Sequence, residues 1–315
     1  MDGKEKIIKK SISMTPDIDR INVIELIKTA WSGRKIVSIV TAVFAVISVL
    51  YALSLSNIYE STARLGPVDD TSTILSGLQQ YAGLSQLTGI SLSAGNDKVD
   101  YAIEVLESRQ FLNRLIQKYE MLVPLMAAKR WNSETNQLEI DSKDYNVDLK
   151  KWVRKTVPPY QSKPSLEEAY TVWKKMFAID YDGAFLTLTL KHKSPALAQQ
   201  WLLSIIDELN SFMKDHDVKE AERSIAYLKR EIERTAVAQS ESLLFDLIQS
   251  QTETIMLANI RDEYVFRTID PPLMPIKKVE PSRSILCIAI TLLGFVLAVF
   301  FVLVRAKISA FFKAF

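Results

Sequence analysis

The chain has 315 residues, with 39 Lys and Arg against 37 Asp and Glu, which gives a formal charge of +2. This length allows one or two folded domains, and the near balance of charge does not favour nucleic acid as the main partner. With Cys287 as its single cysteine, the chain cannot form an internal disulfide.

Two long uncharged stretches are the clearest feature of the sequence, at residues 36–59 and 284–304. A helix rises about 1.5 Å per residue and needs roughly 20 apolar residues to cross about 30 Å of hydrocarbon, so each stretch is long enough to span a membrane. We predict transmembrane helices at 36–57 and 284–304. A buried core helix and a cleaved signal peptide are the alternatives. The presence of two stretches and the long basic flank of the first favour uncleaved anchors.

The tails predict the orientation of this membrane hairpin. Residues 1–35 hold eight Lys and Arg against five acids, and residues 305–315 hold Arg305, Lys307 and Lys313 with no acid. Basic residues close to a span favour the cytoplasmic side. We therefore expect both tails to be cytoplasmic and residues 58–283 to form the outer domain.

The outer domain begins with a predicted strand, IYESTARLGPV, at residues 58–68. Gly77, Gly83, Gly89 and Gly95 then recur every six residues. This segment is interpreted as a loop or frayed helix, with a six-residue β-helix repeat as the alternative. A helical stripe predicts a helix at 97–120 with Asp97 as its cap, and residues 121–163 are polar and irregular.

The second half of the outer domain has sharper signals. Ser165 and Glu168 have the spacing of a capping box at the start of a helix. Two alternating runs within residues 177–193 are joined by Asp182 and Gly183, which predicts a tight β-hairpin.

No Gly or Pro occurs between Pro195 and Pro271, and apolar residues keep helical spacing there. We predict a helix over about 195–259, about 100 Å long if unbroken, with a bend at 235–237. Such a helix must pack its apolar stripe on another helix, typical of a coiled coil. A strand within 263–272 follows. The fold class predicted is α+β with a long projecting helix, anchored by two transmembrane helices.

Small residues in the predicted spans have the spacing that allows helices to approach closely in lipid. These pairs are Ser38 and Ala42, Ser48 and Ala52, and Gly294 and Ala298. Neither span carries a charge, which argues against a transporter or an ion path.

The segment before the second span combines Asp270 with Pro271, Pro272, Pro275 and Pro281. Proline fixes φ near −65° and lacks an N–H, so we expect an extended connector that neither continues the preceding strand nor begins the helix.

Motifs for catalysis and cofactor binding are absent from the sequence. No nucleotide-binding glycine loop occurs, and the only histidines, His192 and His216, are interpreted as surface residues. The carboxylate pairs Glu167 with Glu168, and Glu231 with Glu233, could serve glycoside chemistry. Exposed helical charge is the preferred interpretation, and we expect no cofactor and no metal.

The order of these segments resembles the Wzz chain-length determinants, the class 1 polysaccharide co-polymerases of bacterial inner membranes. The resemblance depends on four segments. These are IDRINVIELIKTAWSGRK before the first span, YESTARL after it, AERSIAYLKREIERT, and LANIRDEYVFRTIDPP before the prolines. The similarity is strongest over residues 17–65 and 177–304. Lys277 and Lys278 stand where many relatives carry further prolines.

The resemblance implies a non-enzymatic protein with a periplasmic domain that forms ring-like homo-oligomers. It implies control of polysaccharide length, commonly of lipopolysaccharide O-antigen, with a Wzy-type polymerase and lipid-linked glycan as partners. Alternatives are an adaptor that works with a separate tyrosine kinase in capsule or exopolysaccharide export, and a two-span sensor. The sequence ends eleven residues beyond Val304, so we expect no kinase or signalling module after the second span.

Overall fold

The computed structural model describes residues 31, 33–68, 94–234 and 238–313. The chain divides into two compact units, residues 1–55 with 281–315, and residues 56–280. The helices of the described residues are α1 (Arg34–Ser54), α2 (Ala94–Glu107), α3 (Arg109–Tyr119), α4 (Leu122–Met126), α5 (Leu166–Met176), α6 (Pro195–Ile232), α7 (Ala238–Ile260) and α8 (Arg283–Lys313). The strands are β1 (Ile58–Pro67), β2 (Ala128–Asn132), β3 (Gln137–Ile140), β4 (Tyr145–Asn146), β5 (Lys151–Trp152), β6 (Phe177–Tyr181), β7 (Leu186–His192), β8 (Phe266–Asp270) and β9 (Lys278–Glu280).

The first unit is a pair of apolar helices, α1 and α8, which are both long and apolar enough to cross a membrane. Gly33 lies against Val302, and Phe44 lies against Gly294. Because the residue numbers on one helix rise as those on the other fall, the two helices run antiparallel.

The second unit is built on an antiparallel sheet with the strand order β6-β7-β1-β8, in which β9 also pairs with β1. Strand β1 pairs with β7 without interruption from Tyr59 opposite His192 to Leu65 opposite Leu186. Strands from the two ends of the outer segment, β1 and β8, therefore pair with each other beside the β6–β7 hairpin.

One core lies between this sheet and the helices that pack on it. Alternation along β7 buries every second side chain, as expected for a strand with one face on a core. The largest fully buried side chains are Leu65, Leu106, Leu115, Met121, Leu186, Leu188, Leu190, Leu202, Ile205, Leu209, Met213 and Phe266.

The prediction of one helix over about 195–259 is wrong. Helix α6 ends at Ile232 and α7 begins at Ala238, and residues facing one another, such as Leu228 and Leu247, line a common surface depression. The two helices form an antiparallel hairpin, so the apolar stripe finds a partner within the chain. The bend expected at 235–237 lies outside the described residues.

Three smaller expectations need correction. The helix expected at 97–120 is two helices, because Ser108 takes an extended conformation and its side chain caps α3. Helix α2 begins at Ala94, so Asp97 is not its cap. Residues 121–163 hold α4 and two short hairpins, β2–β3 and β4–β5, in place of irregular chain.

The connection between β6 and β7 is longer than the tight turn expected. Tyr181 pairs with Leu186, which leaves a four-residue loop. The Asp182 side chain accepts hydrogen bonds from the backbone N–H groups of Ala184 and Phe185, and Gly183 has a φ of +87°. These N–H groups hold the pKa of the Asp182 carboxyl below its ordinary value.

The capping box at Ser165 and Glu168 is confirmed at the start of α5. Of the four periodic glycines, Gly77, Gly83 and Gly89 lie outside the described residues, and Gly95 lies at the start of α2.

Candidate functional site

The proline segment is a connector that is hydrogen-bonded to the sheet. Asp270 ends β8 opposite Arg64, and Pro271 and Pro272 follow directly. The Gln199 side-chain amide on α6 donates to the Pro272 carbonyl at 3.0 Å. The buried Ser61 hydroxyl on β1 donates to the Leu273 carbonyl at 2.8 Å. Prolines cannot donate to a strand ladder, and here side chains of the neighbouring elements donate to carbonyls of the segment instead.

Beyond Pro275 the segment returns to the sheet as β9. Glu280 pairs with Ile58, and Lys278 pairs with Tyr59, at the first residues of β1. The segment neither continues β8 nor begins α8, as expected, but its pairing with β1 as β9 was not predicted. Pro281 follows Glu280, and helix α8 begins at Arg283, so the prolines bracket a short strand that leads into an apolar helix.

An ion-pair cluster fixes the end of β9. The Lys191 ammonium lies 2.6 Å from a Glu280 carboxylate oxygen and 3.8 Å from one of Glu60. The hydrogen bond with Glu280 raises the pKa of Lys191 above its ordinary value. Since Lys191 belongs to β7, this cluster ties three strands together at the end of the sheet from which the chain continues to α8.

The loop between β8 and β9 exposes apolar side chains. Ile276 is 95% exposed and Leu273 is 69% exposed. Pro272 is buried, whereas Pro271 is exposed. The loop therefore presents an apolar surface while its backbone is tied to the sheet.

The small-residue pairs of the predicted spans fall in different environments. Ser38 and Ala42 are exposed in the paired helices. Ser48 and Ala52 on α1 are buried, as is Ala298 on α8. A Cβ atom added to Gly294 would lie 2.5 Å from the Cβ of Phe44, so any larger side chain there would separate the two helices.

A buried amide that the sequence analysis missed anchors the start of β8. Asn210 on α6 accepts hydrogen bonds at Oδ1 from the backbone N–H groups of Tyr264, Val265 and Phe266, and its Nδ2 donates to the Phe266 carbonyl. One Asn within a helical stripe gives no signal of this role. Asn210 and the start of β8 come together only because the chain folds back in the α6–α7 hairpin.

A second feature missed is the buried carboxylate of Glu208 on α6, which lies against Arg114 and Lys118 of α3. Burial favours the neutral carboxyl, but the hydrogen bonds from Lys118 and Arg114 outweigh it, so the pKa of Glu208 is lowered. The hydrogen bond with Glu208 also raises the pKa of its partner Lys118 above the ordinary value. This group is a paired structural charge.

Glu167 and Glu168, one of the two carboxylate pairs considered for glycoside chemistry, are each paired with an arginine. The Arg154 guanidinium contacts both oxygens of Glu168, and this contact lowers the pKa of Glu168 to about 2. Glu167 lies 3.2 Å from Arg109. A carboxyl held ionised in this way is unsuited to donate a proton at neutral pH.

The interpretation of His192 as a surface residue is wrong. It is buried, its Nδ1 accepts from the Ser194 N–H, and its Nε2 lies 3.2 Å from the Pro124 carbonyl. Burial lowers the pKa of His192 to about 4, so the ring is neutral at pH 7. His192 shares a face with Leu186, Leu188 and Leu190, and that alternation was the signal that could have identified it. His216 lies 3.7 Å from Glu220 on the surface of α6.

The α6–α7 hairpin exposes apolar side chains along its length. A protein surface rarely leaves so many large apolar groups on one element without a partner. The exposed residues are Leu203, Tyr227, Leu243, Phe245, Leu247, Met256 and Ile260.

Metal ligands are not clustered within the described part of the chain, where no group of three or more His, Cys, Asp or Glu side chains could hold an ion.

Comparison with protein families gives one match. The model described as "Wzz: Chain length determinant protein" matches residues 19–119, which is about one third of the chain. This range includes the predicted first span and β1. The resemblance to the Wzz family is therefore confirmed. Comparison with curated proteins returns no match.

Solved structures give several matches with low identity. A full-length bacterial polysaccharide co-polymerase is 14% identical, with a TM-score of 0.40, over 91% of this chain and 98% of that chain. A fragment of WzzB, a polysaccharide co-polymerase from Salmonella Typhimurium, is 13% identical, with a TM-score of 0.26, over 71% of this chain and 100% of that chain. A lipopolysaccharide O-antigen chain-length regulator of Shigella flexneri is 13% identical, with a TM-score of 0.19, over 70% of this chain and 99% of that chain. At these TM-scores the superpositions carry no argument about individual residues.

Proposed function

We propose that this chain, which matches the Wzz chain-length determinants, regulates the length of a bacterial surface polysaccharide and catalyses no reaction itself. The observation that carries the proposal is the family match over residues 19–119. The titratable groups described above support it, because Glu168, Glu208 and His192 are each held by structural partners. Lipopolysaccharide O-antigen is the polysaccharide that the resemblance favours.

The proposal places helices α1 and α8 in the inner membrane. Residues 58–283 then form the periplasmic domain, and residues 1–35 and 305–315 are cytoplasmic. Support comes from the length and apolar character of both helices and from the basic tails. An antiparallel pair of spans puts both termini on one side.

The proposed scaffold is a ring-like homo-oligomer that works with a Wzy-type polymerase and meets its lipid-linked glycan. The apolar side chains exposed on α6 and α7 support an interface between copies, because burying them would remove apolar surface from water. Native mass measurement of the nanodisc-held protein tests this part. We expect an oligomer, and a monomer would contradict it.

Deletion of the gene tests the function directly. We expect cells without the protein to make polymer with a broad or random length distribution on a gel, and a plasmid copy to restore the modal length. Complete loss of polymer would contradict a regulatory role and would indicate an enzyme or an essential export component. Copurification of a tyrosine kinase would favour the adaptor alternative.

A further inference from the structure

A shallow cavity of about 400 Å³ lies between the β2–β3 hairpin and the start of α6. Its size falls within the range of small-molecule sites, about 300–1,000 Å³. It lies apart from the proline segment and from the exposed apolar residues of the α6–α7 hairpin. The residues that line it are Trp131, Asn136, Gln137, Leu138, Ser194, Ala196 and Leu197.

The hairpin wall of the cavity is fixed by local hydrogen bonds. Trp131 pairs with Leu138 across the two strands. The Asn132 side chain accepts hydrogen bonds from the N–H groups of Glu134 and Thr135, which closes the turn. Asn136 then takes a φ of +54°, a conformation that Asn tolerates better than most residues.

The opposite wall is tied to the hairpin from the other side. The Lys193 ammonium donates to the Ala128 carbonyl at 2.6 Å, and His192 contacts the Pro124 carbonyl. The first bond joins the chain before α6 to the start of β2, and the second joins it to α4. The N-terminus of α6 is already capped by the Ser194 hydroxyl, which accepts from the Leu197 N–H, so the cavity does not depend on free helix N–H groups.

The chemistry of the lining selects a class of ligand. None of the lining side chains is charged, which favours a neutral ligand over an anion. The half-buried Trp131 supplies an aromatic face whose negative charge density attracts the polarised C–H groups of a sugar ring. The exposed amides of Asn136 and Gln137 each provide two donors and one acceptor oxygen for hydroxyl groups. Apolar surface with a few convergent polar groups is the usual composition of a binding pocket.

We propose that this cavity is a glycan subsite, in which a neutral pyranose ring stacks on Trp131 and hydrogen-bonds to Asn136 and Gln137. The source of the glycan rests on the proposed function, since a length regulator meets the growing polysaccharide. The geometry itself does not rest on it. A regulator with such a subsite would hold the polymer directly, in addition to any contact with a polymerase.

Binding to the full-length protein in nanodiscs tests the subsite. The probe is the polysaccharide released by mild acid from the cells that carry this gene, fractionated to short oligosaccharides. Saturation-transfer NMR detects the bound sugar protons, and quenching of tryptophan fluorescence gives the affinity. An open cavity should bind weakly, with a Kd of about 1 mM.

Three variants make the test specific. Trp131→Ala should weaken binding at least tenfold, and Trp131→Phe should retain part of it. Trp152→Ala is the matched control, because Trp152 lies in the comparable β4–β5 hairpin. The centroid of its ring lies 5.1 Å from that of the Tyr145 ring. This control variant should bind like the wild type. Absence of binding by the wild type, or equal binding by Trp131→Ala, would overturn the proposal.

Failure of the subsite and failure of the proposed function give different results. If deletion of the gene changes glycan length while the wild-type protein binds no oligosaccharide, the subsite is wrong and the regulatory function stands. If the protein binds through Trp131 while deletion leaves the lengths unchanged, the function is wrong and the subsite stands.

Discussion

The two edges of strand β1 differ in a way that follows from proline chemistry. On one edge, β7 pairs with β1 in continuous register from Tyr59 to Leu65. On the other edge, β8 pairs near Arg64–Pro67 and β9 pairs at Ile58 and Tyr59, with shifts of register. Between these two short ladders the chain passes through Pro271, Pro272 and Pro275, which cannot donate to a ladder.

This difference shows that the two edges of β1 have different structural roles. The continuous edge extends the sheet over the core, and its partner strand buries Leu186, Leu188 and Leu190. The interrupted edge holds the segment that continues to α8, and between its two short ladders that segment is secured by the side chains of Ser61 and Gln199. We therefore expect substitutions on the continuous edge to affect stability most, and substitutions in the proline segment to affect function most.

The largest effect on stability is expected on the continuous edge. Leu188 is fully buried and pairs with Ala63 and Ile179, so Leu188→Ala should lower the free energy of unfolding by about 4 kcal/mol through lost burial and an unfilled cavity. Urea unfolding of the detergent-solubilised chain, followed by tryptophan fluorescence, measures this. Ile269→Ala is the control on the interrupted edge, where Ile269 is 48% exposed, and it should cost less than about 1 kcal/mol. Equal losses would remove the distinction between the edges.

The anchor of β8 should have the next largest effect. Asn210→Ala leaves three backbone N–H groups without their acceptor, which should cost about 3 kcal/mol of unfolding free energy. Asn113→Ala removes an exposed amide that contacts Gln117 and should change stability by less than about 0.5 kcal/mol. If both variants unfold alike, the interrupted edge does not depend on Asn210.

The histidine at the end of β7 should make stability depend on pH. The pKa of His192 is about 4 in the folded protein against 6.5 ordinarily, so the unfolded chain binds the proton more readily. The contribution of the neutral His192 ring to the free energy of unfolding is fully present above pH 6.5 and is lost as the pH falls from 6.5 toward 4. We expect a loss of about 2 kcal/mol between pH 7 and pH 5. His192→Gln should remove this slope and His216→Gln should retain it. A slope unchanged in His192→Gln would contradict the burial of a neutral ring.

The smallest effect is expected where a side chain replaces a ladder bond. Ser61→Ala removes the hydrogen bond to the Leu273 carbonyl and should cost about 1 kcal/mol. Thr62→Ala, at the adjacent exposed position, should be within about 0.5 kcal/mol of the wild type. Hydrogen exchange of the amides of residues 273–280 should rise in Ser61→Ala alone. Unchanged exchange in Ser61→Ala would show that the bond does not secure the segment.

Local patterns in the sequence predicted the elements that local physics determines. The capping box at Ser165, the strands β6, β7 and β8, and the two apolar helices each depend on residues that are close in the chain. The roles of Asn210 and Glu208 depend on partners 54 and 90 residues away, which no local pattern reveals. A bend at 235–237 was predicted, but the reversal of chain direction between α6 and α7 was not, because no Gly or Pro marks it. The lining of the cavity beside Trp131 joins a short hairpin to the start of a distant helix, so it too emerges only from the folded chain.

We propose that the proline segment, held along the interrupted edge of β1, contributes to the control of glycan length, and this is the central claim to test. The most direct measurement is the length distribution of surface polysaccharide in cells that carry only the variant with Pro271, Pro272, Pro275 and Pro281 replaced by Gly. The variant with Pro158 and Pro159 replaced by Gly is the matched control, and the amount of each protein in the membrane fraction is measured alongside. We predict a shifted or broadened distribution for the first variant at wild-type abundance, and wild-type lengths for the control. Unchanged lengths in the first variant would contradict the claim and would leave the segment as a passive linker.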